Sequence, residues 1–109
     1  MKMRIIPTKA DLYPRWTEMV VLSNTVYTFS FSWNSQMEFW ELTIYDDHEE
    51  LIVGGIRLVT KIDMLDEYRY ALSNLPEGEL VLYPNSNNVQ AITRDNLTSD
   101  YNLCYITED

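Results

Sequence analysis

The sequence predicts an all-β domain, mainly antiparallel: a small β-sandwich or partly closed barrel of about six or seven short strands with one short helical insertion. Two observations carry that expectation. Between Thr25 and Thr60, three apolar runs are separated by short polar breaks, and the first two alternate strictly. Tyr27, Phe29, Phe31 and Trp33 face one way against Thr28, Ser30 and Ser32, and then Trp40, Leu42 and Ile44 oppose Glu41 and Thr43. A period of two with aromatic and β-branched enrichment marks half-buried strands, and the short breaks join them as an antiparallel meander with one aromatic face. The second observation is composition. In 109 residues, 46% are apolar and only 3 are Gly and 4 Pro, which suits one packed core and excludes fibrous or low-complexity architecture. A chain of this length is expected to form a single domain over 1–109 and to bury roughly 65% of its unfolded surface.

In chain order, Met3 to Ile6 is a short apolar run stopped by Pro7, which cannot donate to a ladder, so it is a terminal or edge strand. Thr8 to Arg15, with Pro14 and several charges, reads as a surface connection, and Glu18 to Leu22 as the next strand. Ser23-Asn24 has the spacing of a tight hairpin turn. Asn34 to Glu38 and Asp46 to Glu50 are polar turns flanking the strand that begins at Phe39. Gly54-Gly55 interrupts the third run, where glycine marks a bulge or a bend that lets one strand serve both halves of a sandwich. Lys61 to Glu77 breaks the β pattern. Asp63 is placed there to cap a short helix with Leu65, Tyr68 and Leu72 on one face. Pro76-Glu-Gly78 turns into a strand over Glu79 to Tyr83, and Tyr101 to Thr107 is the last strand. Between them, Pro84 to Asp100 is polar and aperiodic, an exposed loop with scope to order on a partner.

Charge and cysteine content narrow the function. A net charge of −9, from 17 acidic and 8 basic residues, argues against direct binding of a nucleic-acid backbone, which needs clustered Lys and Arg. The charges are uneven: Lys2, Arg4, Lys9 and Arg15 crowd the start, while Asp46 to Glu50 and Asp63 to Glu67 are acidic. Such asymmetry either docks one subunit on another's acidic face or is an ordinary solvated surface. A sole cysteine, Cys104, allows no internal disulfide and reads as a small core residue. No signal-like or membrane-spanning apolar stretch is present, so the expectation is a protein made in a cytoplasm without membrane insertion.

Catalytic chemistry finds little support. Asp46-Asp47-His48-Glu49-Glu50 is the one ligand-like cluster. It lacks calcium-loop spacing and a second His or Cys for zinc, so a polar turn accounts for it. His48 is the only histidine, leaving Ser and Cys side chains without a base, and no glycine-rich loop precedes a helix. No enzyme activity, metal or cofactor is expected. Trp16, Trp33 and Trp40 offer an alternative, a carbohydrate- or peptide-binding module with an exposed aromatic platform. The alternation with Ser and Thr favours core positions for them.

Several landmarks together resemble the baseplate plug family of contractile phage tails, first defined in a cyanophage. They are Met3-Arg-Ile-Ile-Pro7, Tyr27-x-Phe-x-Phe-x-Trp33 followed by Trp40, and Gly54-Gly-Ile-Arg-Leu-Val59. Leu75-Pro-Glu-Gly-Glu-Leu80 and Tyr101-Asn-Leu-Cys-Tyr-Ile106 complete the set, in order along nearly the whole chain. The resemblance departs in Pro84 to Asp100. It implies a structural virion protein of the tail baseplate, assembled in the host cytoplasm, with no catalytic residues. Implied partners are the hub, the lower tail tube, the spike and other copies of itself in a ring. Three contact regions follow as expectations: the basic segment with Arg4, Lys9 and Arg15; Arg57 beside the glycines, facing a carboxylate; and the loop with Asn85, Asn87, Asn88 and Arg94.

Overall fold

The computed structural model describes residues 1–87 and 91–108. The elements are β1 (Lys2–Ile6), β2 (Arg15–Leu22), β3 (Thr25–Asn34), β4 (Phe39–Tyr45), β5 (Leu51–Arg57), α1 (Asp66–Arg69), β6 (Glu79–Pro84), α2 (Leu97–Asp100) and β7 (Tyr101–Thr107). They form two antiparallel sheets, β2-β3-β4-β5 and β1-β7-β6, that pack as a sandwich and do not close into a barrel.

The four-stranded sheet is a meander because each connection is a turn its residues favour. Ser23 and Asn24 both have positive φ, 52° and 63°, as a two-residue hairpin turn requires. Asn34 Oδ1 accepts the amides of Gln36 and Met37, and Asp46 Oδ1 those of His48 and Glu50. These are side-chain turns that satisfy backbone donors locally. Strand β2 starts at Arg15, earlier than the expected Glu18, because Trp16 pairs with Phe31 and enters the core. Proline at 14 did not prevent this: it lies just outside the strand, and its carbonyl accepts the Trp33 amide at 2.9 Å.

The alternation of β3 and β4 is realised. Tyr27, Phe29, Phe31, Trp40, Leu42 and Ile44 are buried, and Trp33 is half-buried against the same core. From the other sheet come Ile6, Leu80, Leu82, Tyr101, Leu103 and Tyr105. Trp16 stacks on Phe31 with centroids 4.6 Å apart and meets Trp40 edge-on at 5.5 Å; Trp33 meets Trp40 at 5.6 Å. Such offset and T-shaped pairs contribute about 0.5–1.5 kcal/mol each beyond area burial.

The glycine pair makes a bulge within the β4–β5 ladder. Leu42 pairs with Ile56 and Ile44 with Val53, so β5 advances one residue more than β4 there, and Gly55 takes φ +69°. The strand does not cross sheets at the glycines. The crossing follows Arg57, where Thr60 bridges in parallel to Leu82 and the amides of Lys61 and Met64 donate to the carbonyls of Leu82 and Leu80. That segment covers much of the outer edge of β6, which would otherwise present unpaired groups.

Asp63 has a different role from the expected helix cap. Helix α1 begins three residues later, capped by Leu65 without a side-chain bond. Asp63 Oδ1 instead accepts the amides of Leu65 and Leu80, and Oδ2 pairs with Arg69 Nη2 at 3.0 Å. Arg69 also donates to the carbonyls of Pro76 and Gly78, so one ion pair fastens the insertion to the start of β6. Leu65 is buried and Tyr68 and Leu72 pack on the core, as their spacing predicts. The described parts of Pro84 to Asp100 are more structured than expected: Pro84 ends β6, and α2 buries Leu97 completely.

Gly78 is required by close approach. A Cβ there would lie 2.5 Å from the Ile106 carbonyl oxygen and 2.7 Å from the Tyr105 ring, whose hydroxyl accepts the Gly78 amide. At Gly54 an added Cβ meets only ordinary contacts, the nearest at 3.7 Å. Chemical denaturation should therefore show Gly78→Ala losing about 2 kcal/mol or more, against about 0.5 kcal/mol or less for Gly54→Ala.

Candidate interaction surfaces

Register gathers most of the expected contact cations at one end of the sandwich. Arg15 lies opposite Ser32, Ser32 opposite Glu41, and Glu41 opposite Arg57, one row across the outer face of the four-stranded sheet. The Arg57 guanidinium sits over the Phe39 ring, 4.7 Å from its centroid, and remains exposed. Lys9 is exposed at the same end, in a turn where its carbonyl accepts the amides of Leu12 and Tyr13. Those two side chains are themselves exposed apolar groups. Arg94 reaches this end too, donating to the Ala10 carbonyl at 2.6 Å with its guanidinium 5.4 Å from the Trp40 ring. Arg4 lies apart, at the opposite end of the fold, where it donates to the Val21 carbonyl and links β1 to β2 across the sandwich corner.

The late polar segment is held to the body of the protein. Asn85 donates to the Ser99 carbonyl and accepts from Asn102, and its own amide reaches the Asp100 carbonyl at 2.8 Å. Trp40 Nε1 donates to the Thr93 carbonyl at 3.1 Å, which joins the centre of the core to this segment. Asn87 is exposed beyond β6, and Asn88 lies outside the described residues.

One surface escaped the sequence reading. Inward residues of the three-stranded sheet are Tyr101, Leu103 and Tyr105, so Cys104 faces outward, paired with Ile5 and Val81. It is buried there, but on the face opposite the core. Around it lie Met3, Ile5, Tyr83 and Ile106, with Met3 52% and Ile5 56% exposed, an apolar outer face on an otherwise acidic protein. The signal was present: Leu80-Val-Leu-Tyr83 and Leu103-Cys-Tyr-Ile106 do not alternate, which is how strands apolar on both faces read. Burial alone pushes the Cys104 thiol above its ordinary pKa, which disfavours its thiolate. Beside this face, the strand ends and the Ser23–Asn24 turn border an open groove of about 1320 Å³ lined in part by Lys2, Arg4, Glu77 and Glu79.

The acidic turn and Glu18 complete the electrostatics. Asp46, Asp47 and His48 bring ligand atoms within 4.8 Å of one another, but Asp46 Oδ1 is already accepting two backbone amides, and Asp47 and His48 are exposed. The turn-forming function is thus explicit in the geometry. Glu18 points inward from β2, with Oε2 accepting from Trp16 Nε1 at 3.3 Å and Oε1 buried without a hydrogen-bond partner among the described residues. Burial raises its pKa above the ordinary 4.5, opposed by the Trp16 bond and, to a lesser extent, by Lys9.

Trp16 and Trp40 are core, so the three tryptophans form no surface platform. By fold, the molecule is a small antiparallel β-sandwich presenting an end where Lys9, Arg15 and Arg57 lie among Asp11, Glu38 and Glu41, an acidic turn and an apolar sheet face. The sequence matches the family model described as cyanophage baseplate Pam3 plug gp18 over residues 3–108, and the chain belongs to that family of phage baseplate plug proteins. No curated protein matches it. Among the described residues, no helix is long and apolar enough to cross a membrane.

Two outcomes are expected. Trp40→Phe keeps an aromatic ring but loses part of the buried indole and its bond to Thr93, so hydrogen exchange across residues 91–97 should accelerate while β3 stays protected, with a loss of about 2 kcal/mol. For Glu18, the native state holds its proton more tightly than the unfolded chain does. Its contribution is therefore favourable below the unfolded pKa and is lost as pH rises through the higher native value. Glu18→Gln retains an acceptor for Trp16, so its melting temperature should match wild type near pH 4 and exceed it increasingly towards pH 7.

Proposed function

We propose that this protein is a non-enzymatic structural component of the tail baseplate of a contractile phage. In this reading it joins the hub to the lower end of the tail tube by protein–protein contacts and associates with copies of itself around the tail axis. The observation that carries the assembly role is the outer face of β1-β7-β6. An exposed apolar sheet face with Met3, Ile5, Tyr83 and Ile106 is what an interface presents, and a free-standing monomer gains nothing from it. Membership of the baseplate plug family supplies the setting in the virion. The free edges of β1, β2 and β5 add surface on which neighbouring sheets can pair. Arg4, Lys9, Arg15, Arg57, Asn85, Asn87, Asn88 and Arg94 remain the proposed contact residues, with Arg4 and Arg94 also serving the subunit's own fold.

The test is complementation. A phage lacking this gene should yield tails with defective baseplates by negative-stain electron microscopy, and the wild-type chain supplied in trans should restore them. Ile5→Glu is expected to fold, with a melting temperature within a few degrees of wild type, because Ile5 is largely exposed. It should nevertheless fail to restore baseplates. Normal baseplates without the gene, or full rescue by Ile5→Glu, would count against the structural role or against this face respectively.

A further inference from the structure

The ends of the β4–β5 hairpin carry opposite and complementary features. Tyr45 pairs with Leu51 at one end, and between them the Asp46–Glu50 turn carries four carboxylates. The turn is bonded within itself: Asp46 Oδ1 accepts two amides, and the Asp46 amide donates to the Glu50 carbonyl at 2.9 Å. Among the described residues these carboxylates have only His48 beside them, Nδ1 lying 3.0 Å from Asp47 Oδ1, and no Lys or Arg within ion-pair distance offsets their mutual repulsion. Leu51 follows directly and is 62% exposed.

At the other end of the same hairpin, roughly 20 Å away by strand rise, lies a cleft of about 440 Å³. Phe39, Arg57, Val59, Lys61, Ile92 and Tyr101 are among its lining residues. Its charges are Arg57 and Lys61, both exposed, with Glu38 as the one acid among the lining residues. Phe39, Val59 and Ile92 supply a half-buried apolar floor. Cations above an apolar floor complement an acidic turn that ends in an exposed leucine.

We propose that this cleft is the docking site for a second copy of the chain, which inserts its Asp46–Leu51 turn head to tail. Leu51 covers the apolar floor, and Asp47, Glu49 and Glu50 face Arg57 and Lys61. The turn is already ordered in the free subunit, so docking costs little conformational entropy. Contact between two different surfaces of one chain is heterologous, and it propagates into a ring if the rotation closes. The inference rests on the self-association reading above and specifies its geometry.

Sedimentation velocity and native mass spectrometry at low salt test it with two exposed-surface variants, Arg57→Glu/Lys61→Glu and Asp47→Lys/Glu50→Lys. Wild type should form oligomers that weaken as salt rises, and each variant alone should associate at least about tenfold more weakly. An equimolar mixture restores opposite charges at both contacts, intact turn to intact cleft and reversed turn to reversed cleft, so it should recover the association that each variant alone has lost. Oligomers insensitive to both variants would overturn the head-to-tail contact and leave self-association standing. A wild-type chain that stays monomeric at low salt and high concentration, or that associates only with other tail proteins, would overturn both.

Discussion

The fold depends on the burial of one side chain, Trp40. Its ring is wholly enclosed and makes edge contacts with Trp16 from β2 and Trp33 from β3. A buried indole must find an acceptor for its N–H, and here the acceptor is the Thr93 carbonyl in the late polar segment. The backbone of the same residue accepts the Leu58 amide as the chain leaves β5. One residue thereby couples the aromatic layer of the meander to the exit towards the second sheet and to the segment between β6 and β7. Arg94, packed over the ring and bonded to Ala10, extends that coupling to the connection before β2.

Against this constraint, the polar network around Asp63 is local. It fixes residues 63 to 80 to one another and leaves the aromatic layer untouched. Asp63 and Arg69 are only partly shielded from solvent, so the pair is better understood as a geometric clasp, satisfying two amides and two carbonyls, than as a large store of Coulomb energy.

What was legible in the sequence follows from this physics. Alternation in Tyr27 to Trp33 and in Trp40 to Ile44 identified the core face because burial on one side of a sheet enforces a period of two. The Ser23-Asn24 and Asp46 turns were legible for the same local reason. The early start of β2 was not: Pro14 and the charges beside it read as a connection up to Arg15 with a strand only from Glu18, whereas pairing with β3 begins at Arg15 and sets Trp16 opposite Phe31. Nor was the meeting of Arg15 and Arg57 on one row, since it depends on three successive registers. Asp63 misled because Asp before a helical pattern usually caps it. The competing donors, the Leu80 amide and the Arg69 guanidinium, lie 17 and 6 residues further on, and only the folded chain brings them to the carboxylate. The apolar outer face was readable in principle from the unbroken apolar runs of β6 and β7. A search for alternation passes over such runs.

The pairing of β1 with β7 has a consequence for biosynthesis. Lys2 lies opposite Thr107 and Ile6 opposite Leu103, so among the described residues β1 has as its ladder partner a strand synthesised much later. The meander of β2 to β5 closes through neighbours in sequence and can form while the chain is still growing. Met3 and Ile5 must then wait, unpaired, for the remaining hundred or so residues, a delay of roughly 5–20 s at ordinary translation rates. Lys2 and Arg4, alternating with them, give that waiting strand the charge that discourages premature pairing with other nascent chains.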